Sequence, residues 1–218
     1  MPVIGTIADI KPRGRSQHRW EVWVDGEVVL EADKEVIAQG GLRTGRPLTE
    51  EEVTELRSAD QALEASRVVL RLLSHRGRSR QELVLALRRK RYPAEIVDTT
   101  MERLERAGLI DDQAFAEQMV AQYSGHRRLG RYAVYQKLRQ AGLDSALAEQ
   151  VLAETTSEES ELERARHTAR KYVERAPGGD PRRLRAKVYG LLQRRGFDAG
   201  IARQVTEEAV ADDGLDER

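Results

Sequence analysis

RQELVLALRRKRYPAEI, residues 80–96, decides the fold once it is laid over two later stretches of the same chain. Arg80, Leu83, Leu87, Tyr92 and Ile96 recur as Arg131, Val134, Leu138, Leu143 and Leu147, and again as Arg185, Val188, Leu192, Phe197 and Ile201. The steps within each copy are 3, 4, 5 and 4. Steps of three and four keep residues on one helix face, the five marks a turn, and the last four opens a second helix. A further helix precedes each copy, over Asp60–Arg76, Asp112–Ser124 and Glu158–Arg175. A pattern repeating at this distance predicts three tandem three-helix repeats, of helix-turn-helix type, over residues 58–110, 111–155 and 156–211. Residues 212–218 read as a frayed acidic tail.

The turns carry their own signals. Gly142 and Gly196 stand where a left-handed residue ends the second helix, and Asp144 and Asp198 are placed to cap the third. The first repeat holds Arg91 and Pro93 instead. Pro93 suits a first helical turn, but arginine lacks glycine's freedom, so that turn is expected to be built differently.

Upstream of the repeats the period changes from helix to strand. Arg19–Val24 alternates, with Trp20, Val22 and Val24 on one face, and Asp25-Gly26 is a hairpin signal leading to Glu27–Ala32. Ile4–Ile10 reads as a third strand, joined through the basic loop Pro12–Gln17. Asp33 caps a short helix that stops at Gly40-Gly41, and Thr49 opens another through a capping box with Glu52 and a Leu48–Val53 staple. Residues 1–57 therefore read as a separable β-hairpin module with two short helices. The fold class is mainly α: an elongated array of three repeats behind a small β module.

Composition narrows the chemistry. Lys+Arg and Asp+Glu are both 37, so bulk charge does not make this chain a polycation. There is no cysteine, which excludes disulfides, thiolate metal sites and a thiol nucleophile. No apolar run approaches the length of about 18 residues that a membrane-spanning helix needs. Asp9 and Lys11 also interrupt the start, so a soluble cytoplasmic chain without a membrane anchor is expected. His18, His75, His126 and His167 fall in separate segments without ligand spacing and read as surface residues. Gly125–Gly130 has the spacing of a phosphate loop, but Arg131-Tyr132 replaces the Lys-Ser/Thr that would reach phosphate and Mg²⁺. Asp111-Asp112 reads as a cap and first-turn acid, and Ser79–Glu82 as a capping box. No catalytic, cofactor or metal constellation emerges.

Local charge is more informative than the total. Residues 58–110 hold 11 basic and 7 acidic side chains, whereas residues 1–57 hold 8 and 11. Arg76, Arg78 and Arg80 cluster before the second helix of the first repeat, and Arg88, Arg89, Lys90 and Arg91 end it. Thinner clusters recur as Arg127, Arg128 and Arg131, and as Arg182, Arg183, Arg185 and Lys187. These are the candidate contacts to phosphate or to an acidic protein surface. The alternative is that they merely complement helix C-termini and stay solvated. Aromatics scarcely interleave with them, so contacts to DNA should be weak, salt-sensitive and without sequence preference.

Ser79, Glu82, Leu83 and Leu87, then Leu104 with Gly108-Leu-Ile-Asp-Asp112 and Phe115-Ala116, then Gly130, Leu138 and Gly142, resemble the RecX regulatory proteins of bacteria. Lys187–Val205, with Arg194-Arg-Gly-Phe197, is similar to the family's C-terminal repeat, and the strand-rich start resembles an extension carried by some members. The resemblance spans about residues 60–210, and Arg91 departs from the usual glycine. A monomer is expected, and the resemblance implies a non-catalytic protein that lies in the groove of the RecA–DNA filament. There it would restrain ATP hydrolysis, strand exchange and stimulated repressor cleavage in recombination, DNA repair and the SOS response to DNA damage. Several weak repeat contacts acting together suit that task. The competing reading is a stand-alone DNA-binding protein, since three-helix units also read major grooves. Zero net charge and the lack of an Asn or Gln cluster on a basic helix speak against it.

Overall fold

A computed structural model describes residues 3–14, 18–175 and 180–216, with side chains through Ala211. The chain begins with a four-stranded antiparallel sheet in the order β3-β2-β1-β4. Its strands are β1 (Val3–Pro12), β2 (Arg19–Val24), β3 (Glu27–Asp33) and β4 (Pro47–Thr49). Asp25 and Gly26 both take positive φ, 51° and 84°, as the tight hairpin requires. Ile7, Val22, Val24, Leu30 and Ala32 bury one face of the sheet against Val36 and Ile37 of α1 (Lys34–Gln39) and against Leu48 and Val53. Asp33 caps α1 by accepting from Glu35 N. Strand β4 is too short for its alternation to show in sequence. Residues 15–17 of the expected basic loop lie outside the described residues.

Two expected helices are one. α2 runs unbroken from Glu50 to Leu73, opened by the Thr49–Glu52 capping box. Neither Gly nor Pro interrupts Glu50–Leu73, so nothing stops the helix at residue 57. Its first half serves the sheet, with Val53, Leu56 and Leu63 in that core, and Ala65 and Val69 farther along are fully buried. Polar contacts fix the same register. Asp60, 6 % exposed, accepts from Asp33 N at 2.7 Å and pairs with Arg19 at 2.7 Å, and Arg67 pairs with Asp33. The expected boundary at residue 57 therefore falls inside a helix whose two halves belong together.

The remaining helices are α3 (Arg80–Arg89), α4 (Ala94–Arg106), α5 (Asp112–Val120), α6 (Arg131–Gln140), α7 (Ser145–Thr155), α8 (Glu158–Val173), α9 (Pro181–Arg194) and α10 (Ala199–Asp216). The repeated apolar positions form the cores: Leu83, Leu87 and Ile96; Val134, Leu138 and Leu143; Val188, Leu192, Phe197 and Ile201 are all buried. The chain divides into two compact units, residues up to 76 with 83–109, and residues 77–82 with 110 onward. α10 continues through Asp216, so residues 212–216 are helical rather than frayed; their side chains and residues 217–218 lie outside the described residues. Pro93 is the cap before α4, one place earlier than a first-turn proline.

The turn at Arg91 corrects another expectation. Arg91 sits at φ 65°, beside 85° for Gly142 and 79° for Gly196. The hydrogen bonds match as well: Tyr92 N donates to Leu87 O at 3.3 Å, and Leu143 N to Leu138 O and Phe197 N to Leu192 O at 3.2 Å. All three repeats thus end their second helix in the same left-handed motif. Arg91 is exposed, and the left-handed conformation costs an arginine there only about 1–2 kcal/mol. Glycine is required at Gly196 for a second reason, since a Cβ there would lie 2.3 Å from Ala133 N.

Candidate functional site

The repeats of the second unit are joined by a device that the sequence did not reveal. Gly130 N donates to Arg195 O at 2.9 Å, Tyr132 N donates to Gly196 O at 3.1 Å, and Arg131 N donates to Glu161 Oε1 at 2.8 Å. The orphan amides at the start of α6 are thus satisfied by the glycine turn after α9 and by an acid of α8. The start of α3 in the first repeat does the same. The Ser79 hydroxyl donates to Ala141 O and accepts from Glu82 N, and Arg80 N donates to Asp112 Oδ1 at 2.7 Å. Asp112 and Glu161 are therefore junction acids. Asp111 is the cap of α5, accepting from Ala114 N. Asp180, accepting from Arg182 N, and Pro181 begin α9 with a cap of its own.

The basic candidates divide by what they touch. Arg131 donates to Leu152 O at 3.2 Å, and Arg185 pairs with Glu207 at 3.0 Å, so two of the repeated arginines hold neighbouring helices. Arg80, with Arg76 and Arg78, is likewise engaged. By contrast Arg88, Arg89, Lys90 and Arg91 are all exposed and form no ion pair among the described residues. They surround the C-terminal end of α3, where cations also complement the helix dipole. Arg182 and Lys187 are exposed along α9, and Arg183 makes only a 3.9 Å approach to Asp180.

Arg127 and Arg128 follow a π-helical turn, Ala121–His126, closed by Arg127 N donating to Gln122 O. Such turns are uncommon and frequently mark functional sites. Arg127 lies over the Tyr123 ring at 5.0 Å, and Arg128 takes φ 50°. His167 of α8 is half-buried rather than a surface histidine. Burial first, then Arg128, Lys171 and Arg170, holds its imidazole below the ordinary histidine range, with Glu174 opposing. Among the described residues no three His, Asp or Glu side chains cluster as metal ligands, and no helix is long and apolar enough to cross a membrane.

Family models for the first, second and third three-helix domains of RecX match residues 65–104, 111–152 and 158–206, together more than half of the chain. The chain belongs to the RecX family. It is 40 % identical over 141 residues to the regulatory protein RecX of Trichlorobacter lovleyi, covering 64 % of this chain and 91 % of that one. The regulatory protein RecX of Listeria monocytogenes is 27 % identical over 206 residues, covering 94 % of this chain and 76 % of its own length. A crystal structure of a regulatory protein RecX superposes with a TM-score of 0.76 at 26 % identity, over 94 % of this chain and all of that one. The likeness thus extends beyond the three RecX domains into the strand-rich start.

Proposed function

We propose that this protein is a negative regulator of the RecA recombinase. It binds in the groove of the RecA–DNA filament as a monomer in the cytoplasm, and restrains ATP hydrolysis, strand exchange and the stimulation of repressor cleavage. The observation that carries this reading is the succession of three RecX domains, shared with relatives named regulatory proteins, over a chain whose functional candidates are cations rather than catalytic groups. It acts by binding, without a chemical step of its own.

The physical logic is differential affinity. A bound protein slows turnover only if it favours one filament state over the states that follow it. Tandem repeats supply several modest contacts that act together once the first is made. Arg88, Arg89, Lys90 and Arg91 are the strongest contact candidates, being exposed, consecutive and without an ion pair among the described residues. Their partners would be acidic filament surface and the phosphates of bound DNA. Arg127, Arg128, Arg182, Arg183 and Lys187 are further candidates within the second unit, whereas Arg131 and Arg185 first hold their own helices. The test is RecA ATPase on single-stranded DNA, titrated with the protein. Inhibition below one protein per RecA supports the reading. An unchanged ATPase together with sequence-selective duplex binding supports the stand-alone DNA-binding protein.

A further inference from the structure

The loop after the π-helical turn is held tightly in an unfavourable conformation. Arg127 N reaches back to Gln122 O, Leu129 N to Tyr123 O at 2.9 Å, and Gly130 N to Arg195 O. Between these anchors Arg128 is left at φ 50°, a region that L-residues enter at a cost. Backbone strain that the surroundings enforce points to a use for the side chain it positions. Arg128 is half-buried within electrostatic reach of His167, and on α8 the cations Arg170 and Lys171 act on the same ring. Against them stands Glu174.

None of Arg127, Arg128, Arg170 and Lys171 forms an ion pair among the described residues. Elsewhere in the chain Arg19, Arg46, Arg67 and Arg166 all do. One turn before His167, Arg164 keeps Nε and Nη2 buried without a hydrogen-bond partner, and the acid acting on it, Glu161, already accepts from Arg131 N. His167 Nε2 is also buried and unpartnered. Arg170 and Lys171 stand three and four residues after His167, on its face of α8, and neighbouring cations without an ion pair are stabilised by an incoming anion. The neighbouring Arg127 guanidinium, layered over Tyr123, offers a flat cationic surface suited to a base. That pairing favours a nucleic acid over an acidic protein surface.

We propose that Arg128, His167, Arg170 and Lys171 form a binding site for a backbone phosphate of single-stranded nucleic acid, with a base stacked at Arg127. The site deepens the reading of DNA contact within the filament and rests on it, but it is assayed on the full chain without RecA. A phosphate seated beside His167 favours the imidazolium, so binding raises the pH at which that ring titrates. Arg170 and Lys171 are exposed helix residues, so R170Q/K171Q is expected to fold, and R128Q tests the loop cation separately.

Histidine ring NMR on the full chain, titrated with a short oligothymidylate at low salt, is the experiment, with inorganic phosphate and polyglutamate as comparison probes. The expected result is a saturable shift of the His167 signals and a rise in its titration midpoint with the oligothymidylate. R170Q/K171Q should weaken oligothymidylate binding about tenfold and flatten its salt slope by roughly 0.7 per lost contact, whereas R43Q in the N-terminal module should not. Oligothymidylate binding that leaves His167 unmoved, or that R128Q and R170Q/K171Q leave intact, overturns the site. So does no oligothymidylate binding at all. A His167 response to inorganic phosphate alone assigns a free anion instead, and an equal response to polyglutamate assigns an acidic protein surface. RecA inhibition, measured in parallel, stands or falls separately and reports on the regulatory reading.

Discussion

Replacing Gly196 with alanine should open the joint between the second and third repeats. Gly196 sits at φ 79°, where alanine incurs roughly 1 kcal/mol or somewhat more. The added Cβ would lie 2.3 Å from Ala133 N and 2.4 Å from Ala133 Cβ, and α6 backbone cannot yield as a flexible side chain would. The start of α6 must therefore move away, which breaks Gly130 N to Arg195 O and Tyr132 N to Gly196 O. Each such bond contributes about 1 kcal/mol net. The expected loss is about 3–4 kcal/mol, read from urea unfolding followed by far-ultraviolet circular dichroism. Gly142→Ala should cost less, about 1–2 kcal/mol, because the nearest atoms its Cβ would meet belong to the Gln81 side chain, whose amide can swing aside while its Cβ, 2.8 Å away, must shift slightly. Arg91→Gly should change stability by less than about 1 kcal/mol, since relief of the left-handed backbone and the entropy of glycine oppose each other. Amide exchange at Gly130 and Tyr132 locates the effect. Equal losses at all three sites, or Gly196→Ala with both amides still protected, would refute the role given to this joint.

The junction acids should behave as caps. Glu161→Ala should cost about 1–2 kcal/mol, as urea midpoints would show. Glu161→Gln should cost less, because glutamine keeps an acceptor for Arg131 N. Acid should weaken the N-terminal module through Asp33, whose carboxyl is held below the usual range by the Arg67 hydrogen bond, against the opposing effect of burial. A depressed folded pKa gives stability that is complete above about pH 4 and lost as the pH falls through the lower folded value. Asp33→Asn should remove that dependence from the acid limb of a stability–pH profile. Reversing Arg88, Arg89 and Lys90 to Glu should cripple RecA inhibition while leaving the circular dichroism spectrum intact, at roughly 0.3–1 kcal/mol per charge in lost dipole complementarity.

The repeats were legible because helix faces and helix ends are local. The 3-4-5-4 steps placed Leu83, Val134 and Val188 in their cores, and Gly142, Gly196, Asp144 and Asp198 marked the turns and caps where they stand. The hairpin was equally plain from Asp25-Gly26. Features that depend on distant partners were not legible. Asp112 looked like a first-turn acid, yet its partner is Arg80 N, 32 residues away in sequence. α2 read as two helices, yet it is one, with Val53, Leu56 and Leu63 in the sheet's core and Ala65 and Val69 buried farther along. The candidate surface was legible as charge but not as availability: Arg131 and Arg185 share the motif position and are engaged, whereas Arg88 to Arg91 are free of ion pairs among the described residues. Nothing in the local sequence links Arg128 to His167, 39 residues away, although both act in one electrostatic environment.

Regulation of RecA is tested most directly by the rate of RecA ATP hydrolysis on single-stranded DNA as this protein is added. The rate should fall progressively, beginning below one protein per RecA, with no hydrolysis by the protein alone. An ATPase rate that stays constant at saturating protein, while the chain binds duplex DNA with sequence preference, would contradict it.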